Sequence, residues 1–206
     1  MCLTESSGSE AQTNVTVAGK ARIGRVGIQV IPGAAASQGL YIFKSGHRYE
    51  GNYVQNKKHG QGIFLYPDGS KYDGEWADDL RCGYGVYKYA NGDTYEGEWS
   101  KNLRHGQGTY TYITTNVKVV GTWVNGVREG GGEMIFPSYI FKGSFSKDQP
   151  HGQGKHIFQS INCEQDGKYV VSKMVNAEAE DDENAVTTNV KWIGMDIYPI
   201  NPEQAA

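Results

Sequence analysis

The chain has 206 residues, with 20 Lys or Arg against 23 Asp or Glu, a net charge of −3 and a pI near 6.0, so no global basic field recruits nucleic acid. Its 28 glycines and 12% aromatic content depart from the leucine- and alanine-rich usage of a helical bundle, and its length fits one ordinary domain. Cys2, Cys82 and Cys163 offer neither a disulfide framework nor a Cys-x-x-Cys pair, and no apolar run approaches the roughly 18 residues of a membrane span; a soluble, cytosolic protein with reduced thiols is expected.

Residues 1–37 are mostly Ser, Gly, Ala, Thr and Val and read as a divergent, disordered N-terminal segment. Gln38-Gly39-Leu40-Tyr41-Ile42-Phe43 then matches Gln61-Gly62-Ile63-Phe64-Leu65-Tyr66, so a repeat array over residues 38–171 opens in mid-repeat. Stacked arrays normally end in capping units, and an opening half-unit reads as a diverged or truncated N-terminus.

Three segments carry the repeat most plainly: Tyr49-Glu-Gly51-Asn-Tyr53, Tyr72-Asp-Gly74-Glu-Trp76 and Tyr95-Glu-Gly97-Glu-Trp99, with a period of 23 residues. In the same frame lie His59-Gly60-Gln61-Gly62, Cys82-Gly83-Tyr84-Gly85 and His105-Gly106-Gln107-Gly108. A looser fourth unit holds Gly121, Trp123 and Glu129-Gly130-Gly131-Gly132, and a fifth restores Phe141, Gly143, Phe145 and His151-Gly152-Gln153-Gly154. A final half-unit is Gln165-Asp166-Gly167-Lys168-Tyr169.

Within a unit, Tyr72, Gly74 and Trp76 alternate with Asp73 and Glu75, the period of a half-buried strand, and Gly85, Tyr87 and Tyr89 share one face of a second strand. Pro67-Asp68-Gly69 and Ala90-Asn91-Gly92 are turns between units. The predicted fold is all-β: an elongated, single-layer antiparallel sheet of stacked hairpins. Five units, each advancing by roughly 10 Å, extend it to roughly 50 Å.

Residues 172–206 form a polar, acidic tail with Glu178, Glu180, Asp181, Asp182 and Glu183, read as weakly ordered over 172–190. The apolar segment Lys191–Pro199, with Trp192 at its head, either docks on the array or serves as a short partner-binding tail.

Several chemistries fail on spacing. Histidines His59, His105 and His151 recur at a fixed repeat position, with Cys82 in place of the histidine between the first two, but equivalent atoms on adjacent hairpins lie roughly 10 Å apart, whereas zinc ligands sit about 2.0–2.1 Å from the metal. A structural turn is the expected role of these motifs. No phosphate-loop motif and no Gly-x-Ser-x-Gly elbow occurs, so neither a cofactor nor a catalytic residue is assigned. Asp73, Glu75, Glu96 and Glu98 alternate with the aromatic face and read as a solvated strand face rather than as paired acids.

The stripe Tyr49, Tyr53, Tyr72, Trp76, Tyr95, Trp99, Trp123, Phe141 and Phe145 is the strongest candidate site. A one-layer sheet has little other core, so these rings must largely bury one another. Part of such a face stays open unless something covers it, which makes it a candidate surface for a segment of a partner protein or a second copy. Gly51, Gly74, Gly97, Gly121 and Gly143 each lie between two large residues of that face, leaving room for a ring to cross the backbone.

Tyr-x-Gly-x-Trp followed by His-Gly-x-Gly at this period resembles the MORN repeat family. Local wording, including Asn56-Lys-Lys-His-Gly-Gln-Gly62, Tyr66-Pro-Asp-Gly-Ser70, Arg104-His-Gly-Gln-Gly-Thr-Tyr110, Gly121-Thr-Trp-Val-Asn-Gly126 and Cys163-Glu-Gln165, is similar to MORN subunits of the axonemal radial spoke head. That resemblance implies a non-catalytic scaffold of motile cilia and sperm flagella, bound to other radial spoke head proteins and relaying central-pair signals to dynein arms. The chain departs from that pattern in lacking leading repeats and in a short acidic tail. The competing reading is a membrane-associated module, since MORN repeats also occur in membrane-junction and lipid-kinase proteins. A dense basic patch would favour it, at about 1 kcal/mol per basic residue near anionic lipid, but only Lys57-Lys58, Lys101, Arg104 and scattered others are present. A SET-type catalytic domain, carried by some methyltransferases with MORN repeats, does not fit in the 35 residues after position 171.

Overall fold

A computed structural model describes residues 37–175 and 186–200. Among these, the first strands are β1 (Ser37–Ile42), β2 (Arg48–Val54), β3 (Lys57–Leu65), β4 (Lys71–Ala77), β5 (Leu80–Lys88) and β6 (Thr94–Ser100). They continue as β7 (Leu103–Tyr112), β8 (Val117–Val124), β9 (Val127–Ile135), β10 (Ile140–Ser146) and β11 (Gln149–Phe158). A single 3₁₀ turn, Gln159–Ile161, leads into β12 (Cys163–Val175), followed by β13 (Val186–Pro199). All thirteen form one sheet in chain order, each antiparallel to the next, as the period-2 pattern predicts. At about 4.8 Å per strand the sheet measures about 58 Å across its ladder. Among the described residues no helix is long and apolar enough to cross a membrane.

Two kinds of connection alternate. Pro67-Asp68-Gly69 and Asn91-Gly92 turn the chain between units, closed by Tyr66 N–H to Ser70 C=O and Tyr89 N–H to Asp93 C=O, both 2.9 Å. Inside each hairpin the turn has two residues, both at positive φ: Gln55-Asn56, Asp78-Asp79, Lys101-Asn102, Asn125-Gly126 and Lys147-Asp148. This is type I′ geometry, whose twist matches that of the strands, and Asn, Asp or Gly fills the second position because these residues tolerate it.

The His-Gly-x-Gly motifs are therefore not turns. They lie inside β3, β7 and β11, and their first glycines, Gly60, Gly106 and Gly152, have φ of 62°, 61° and 68°. The ladder slips there: in the equivalent Cys82 unit, Gly74 pairs Gly85 while the next residue, Glu75, pairs Cys82, leaving Gly83 and Tyr84 as a bulge.

The C-terminal segment differs from its sequence reading. Residues 172–175 and 186–190, expected as weakly ordered, extend β12 and β13, and the Trp192 segment is the outer strand, pairing Tyr169 with Trp192. The N-terminal 36 residues and the acidic run Glu178–Glu183 lie outside the described residues.

Candidate functional site

The core is the stripe itself. Tyr49, Tyr72 and Tyr95 are 0% exposed, and Tyr53, Trp76, Trp99, Trp123, Phe141 and Phe145 are also buried. Their rings meet edge to face in a chain: Tyr49–Trp76 at 5.5 Å, Trp76–Tyr72 at 5.1 Å, Tyr72–Trp99 at 5.3 Å, Trp99–Tyr95 at 5.1 Å and Tyr95–Trp123 at 5.3 Å. Each tryptophan thus locks two successive units, and such pairs contribute about 0.5–1.5 kcal/mol beyond the area they bury. Val119 stands where the fourth unit would need its tyrosine, which breaks the chain; a second cluster begins with Phe141 against Phe145 and Tyr169.

Hydrogen bonds fix the rings. Trp76 Nε1 donates to Gly62 C=O at 3.0 Å and Trp99 Nε1 to Gly85 C=O at 3.1 Å. The hydroxyls of Tyr49, Tyr72 and Tyr95 donate to the carbonyls of Asn52, Glu75 and Glu98. Burial raises these three phenols well above the ordinary tyrosine range, and pushes Tyr53 up to about 12, so all four stay neutral.

Beneath the rings runs a row of paired glycines that crosses every strand: Gly39, Gly51, Gly62, Gly74, Gly85, Gly97, Gly108, Gly121, Gly132, Gly143, Gly154, Gly167 and Gly194. The five first-strand members from Gly51 to Gly143 are legible in Tyr-x-Gly and its variants; of those on second strands only Gly85 is placed on the ring face by its spacing to Tyr87 and Tyr89, the others being merely the last letter of His-Gly-x-Gly. A Cβ on Gly62, Gly85 or Gly108 would come within 2.4 Å of the hydroxyl of Tyr49, Tyr72 or Tyr95. Gln165 stands in the tyrosine position of the last half-unit, and Trp192 of β13 fills the space instead, 2.4 Å from a Cβ built on Gly167. Trp192 also stacks on His156 at 4.3 Å and donates to Gln165 Oε1.

On the opposite face the glycine row floors a groove. One stretch of about 690 Å³ is flanked by Gln38, Leu40, Glu50, Gln61, Ile63 and Asp73, and a second by Tyr84, Glu96, Gln107, Thr109 and Val120. Two of the four carboxylates read as merely solvated instead hold the bulges in place. Glu75 Oε1 accepts from the bulge amide of Tyr84, and Glu98 Oε1 from that of Gln107, both 2.9 Å. Asp73 pairs with Lys71, and Glu96 accepts from the Tyr84 hydroxyl.

On the aromatic face every full unit from the first to the fourth carries one cation over a ring of the next. Lys58 lies 5.2 Å from the Trp76 ring, Arg81 4.5 Å from Trp99, Arg104 4.2 Å from Trp123 and Arg128 4.9 Å from Phe145. Each also reaches the next unit's hairpin turn, at Asp79, Asn102, Gly126 and Asp148 respectively. Half-buried Phe64, Tyr66, Tyr87, Tyr89 and Tyr110 pack outside the core rings. A ligand on this face meets that outer row and the cations, while the nine rings of the stripe lie beneath.

Among the described residues no group of three or more His, Cys, Asp or Glu is placed to hold a metal ion. The arrangement defines a repeat scaffold that offers two elongated surfaces. The MORN repeat model matches residues 49–71, 72–94, 95–117, 120–139 and 141–160, more than half of the chain, and the protein belongs to the MORN repeat family. No curated protein sequence matches it. Among solved structures it is similar to the SAS-4 (dCPAP) TCP domain in complex with a proline-rich motif of Ana2 (dSTIL) of Drosophila melanogaster. That similarity has 15% identity and a TM-score of 0.32, covering 74% of this chain and 88% of that one.

Proposed function

We propose that this chain is a non-catalytic structural subunit of the radial spoke head in motile cilia and flagella. There it binds other spoke-head proteins and helps relay central-pair signals to the dynein arms. The observation that carries the scaffold reading is the open thirteen-strand sheet with its unbroken glycine row, which is one layer thick and presents long surfaces on both sides. The assignment to the spoke head is supported by the wording of Asn56–Gly62, Tyr66–Ser70, Arg104–Tyr110 and Gly121–Gly126.

Affinity purification of the tagged chain from detergent-extracted motile cilia tests this reading. Spoke-head proteins co-purifying in fixed ratio are the expected result. Recovery of the chain without them, or with membrane proteins alone, overturns it.

A further inference from the structure

The four cations of the aromatic face are not equivalent. Lys58 Nζ reaches Asp79 Oδ1 at 2.7 Å and Arg128 Nε reaches Asp148 Oδ1 at 3.1 Å, so the outer two are neutralised by the turn they clamp. In the two middle units the residues clamped, Asn102 and Gly126, carry no charge. Arg81 donates to Asn102 Oδ1 and C=O, and Arg104 to Gly126 C=O at 2.6 Å, with the Tyr89 hydroxyl beside it. Among the described residues neither arginine has a carboxylate within ion-pair distance.

Between these two guanidiniums lies an open hollow of about 270 Å³, lined by Tyr87, Tyr89, Trp99 and Leu103. A guanidinium stacked on an indole uses its flat face there, and the N–H groups not spent on Asn102, Gly126 and Tyr89 remain for an acceptor; a carboxylate is the acceptor that also answers their charge. The two positive edges are roughly two strands, about 10 Å, apart. Apolar and aromatic walls between two uncompensated charges select a ligand that combines carboxylates with apolar side chains.

We propose that the hollow between Arg81 and Arg104 is a docking site for an acidic segment of a partner protein, anchored by carboxylates on the two arginines and by an apolar side chain between Tyr87 and Trp99. The proposal rests on the chain being a partner-binding scaffold and not on which assembly it enters, so it is read in solution, apart from ciliary extraction.

Binding of a fluorescein-labelled glutamate–leucine peptide to the full chain is measured by fluorescence anisotropy, with a glutamine–leucine peptide as control. Asn102→Asp supplies the missing counter-charge in the geometry that Asp79 and Asp148 already adopt, φ of 71° and 67° against 71° at Asn102. It is expected to weaken the glutamate peptide by about tenfold with an undiminished melting temperature. The pair Arg81→Gln and Arg104→Gln is expected to do the same to binding, while Lys58→Gln leaves affinity unchanged. No binding by the wild-type chain, equal binding of both peptides, or equal affinity in Asn102→Asp overturns the proposal. So does displacement of the peptide from the variants and the wild type alike by phosphatidylserine vesicles.

Discussion

Tyr72 and Gly85 share one volume: a Cβ built on Gly85 would fall 2.4 Å from the Tyr72 hydroxyl oxygen and 2.6 Å from the ring carbon that bears it. The pair spans adjacent strands in register, Tyr72 opposite Tyr87 and Gly74 opposite Gly85, so neither strand can shift to make room. Gly85→Ala is expected to destabilise the chain by about 3 kcal/mol, the scale of overpacking a tight core. Gly131 provides the contrast, since a Cβ there meets nothing within 4 Å, and Gly131→Ala is expected to stay within about 0.5 kcal/mol. Urea titration of both variants checks the difference.

Trp99 couples its unit to the one before through the Tyr72 ring and the Gly85 carbonyl. Trp99→Phe removes the hydrogen bond and part of the packing and is expected to cost about 2 kcal/mol. Trp99→Ala, which opens a cavity between units, is expected to cost about 3–5 kcal/mol and to separate the melting of the flanking units. Calorimetry, compared with amide exchange on β2–β4 and β8–β10, reads both effects.

Asp93 is buried at the turn between units, where Ile113 N–H, Asn91 Nδ2 and the Tyr110 hydroxyl all donate to its carboxylate. The Ile113 amide above all, with Asn91 and Tyr110, holds its carboxyl below the usual range. A depressed folded pKa gives stability that is complete above the unfolded value of about 3.9 and is lost as pH falls through the folded one. Asp93→Asn is expected to lower the melting temperature at neutral pH and to flatten its decline below about pH 4, measured by circular dichroism.

His156 stands among Phe141, Phe158, Tyr169 and Trp192, and burial lowers its pKa. The unfolded chain therefore binds the proton more readily, and stability falls as pH drops below about 6.5 until the folded pKa is passed. His156→Phe is expected to remove that decline. Trp192 fluorescence, recorded from pH 8 to 5 in both proteins, reports whether the β12–β13 hairpin loosens with it.

Much of the fold is legible in the chain. The 23-residue frame, the aromatic stripe, the opening half-unit and the Pro67 and Asn91 turns follow from period and turn chemistry. The hairpin turns are harder to see, because Gln55-Asn56 and Lys101-Asn102 lack glycine, though Asn or Asp at the second position is the available signal. The two glycines of His-Gly-x-Gly look alike in sequence; pairing separates them, one bending the strand at positive φ, the other joining the row that the tyrosines cover. The uncharged Asn102 and Gly126 acquire meaning only when Arg81 and Arg104, about 21 positions away, are seen to clamp them. Trp192 is visible as an apolar residue, but its place over Gly167 follows from Gln165 standing where a tyrosine would be.

Salt extraction of demembranated axonemes tests most directly the proposal that this chain is built into the ciliary skeleton. Antibody or mass spectrometry should find the chain retained on wild-type axonemes after detergent and high salt, and lost from axonemes that lack spoke heads. Release with the detergent-soluble membrane fraction, or equal retention when spoke heads are missing, would contradict it.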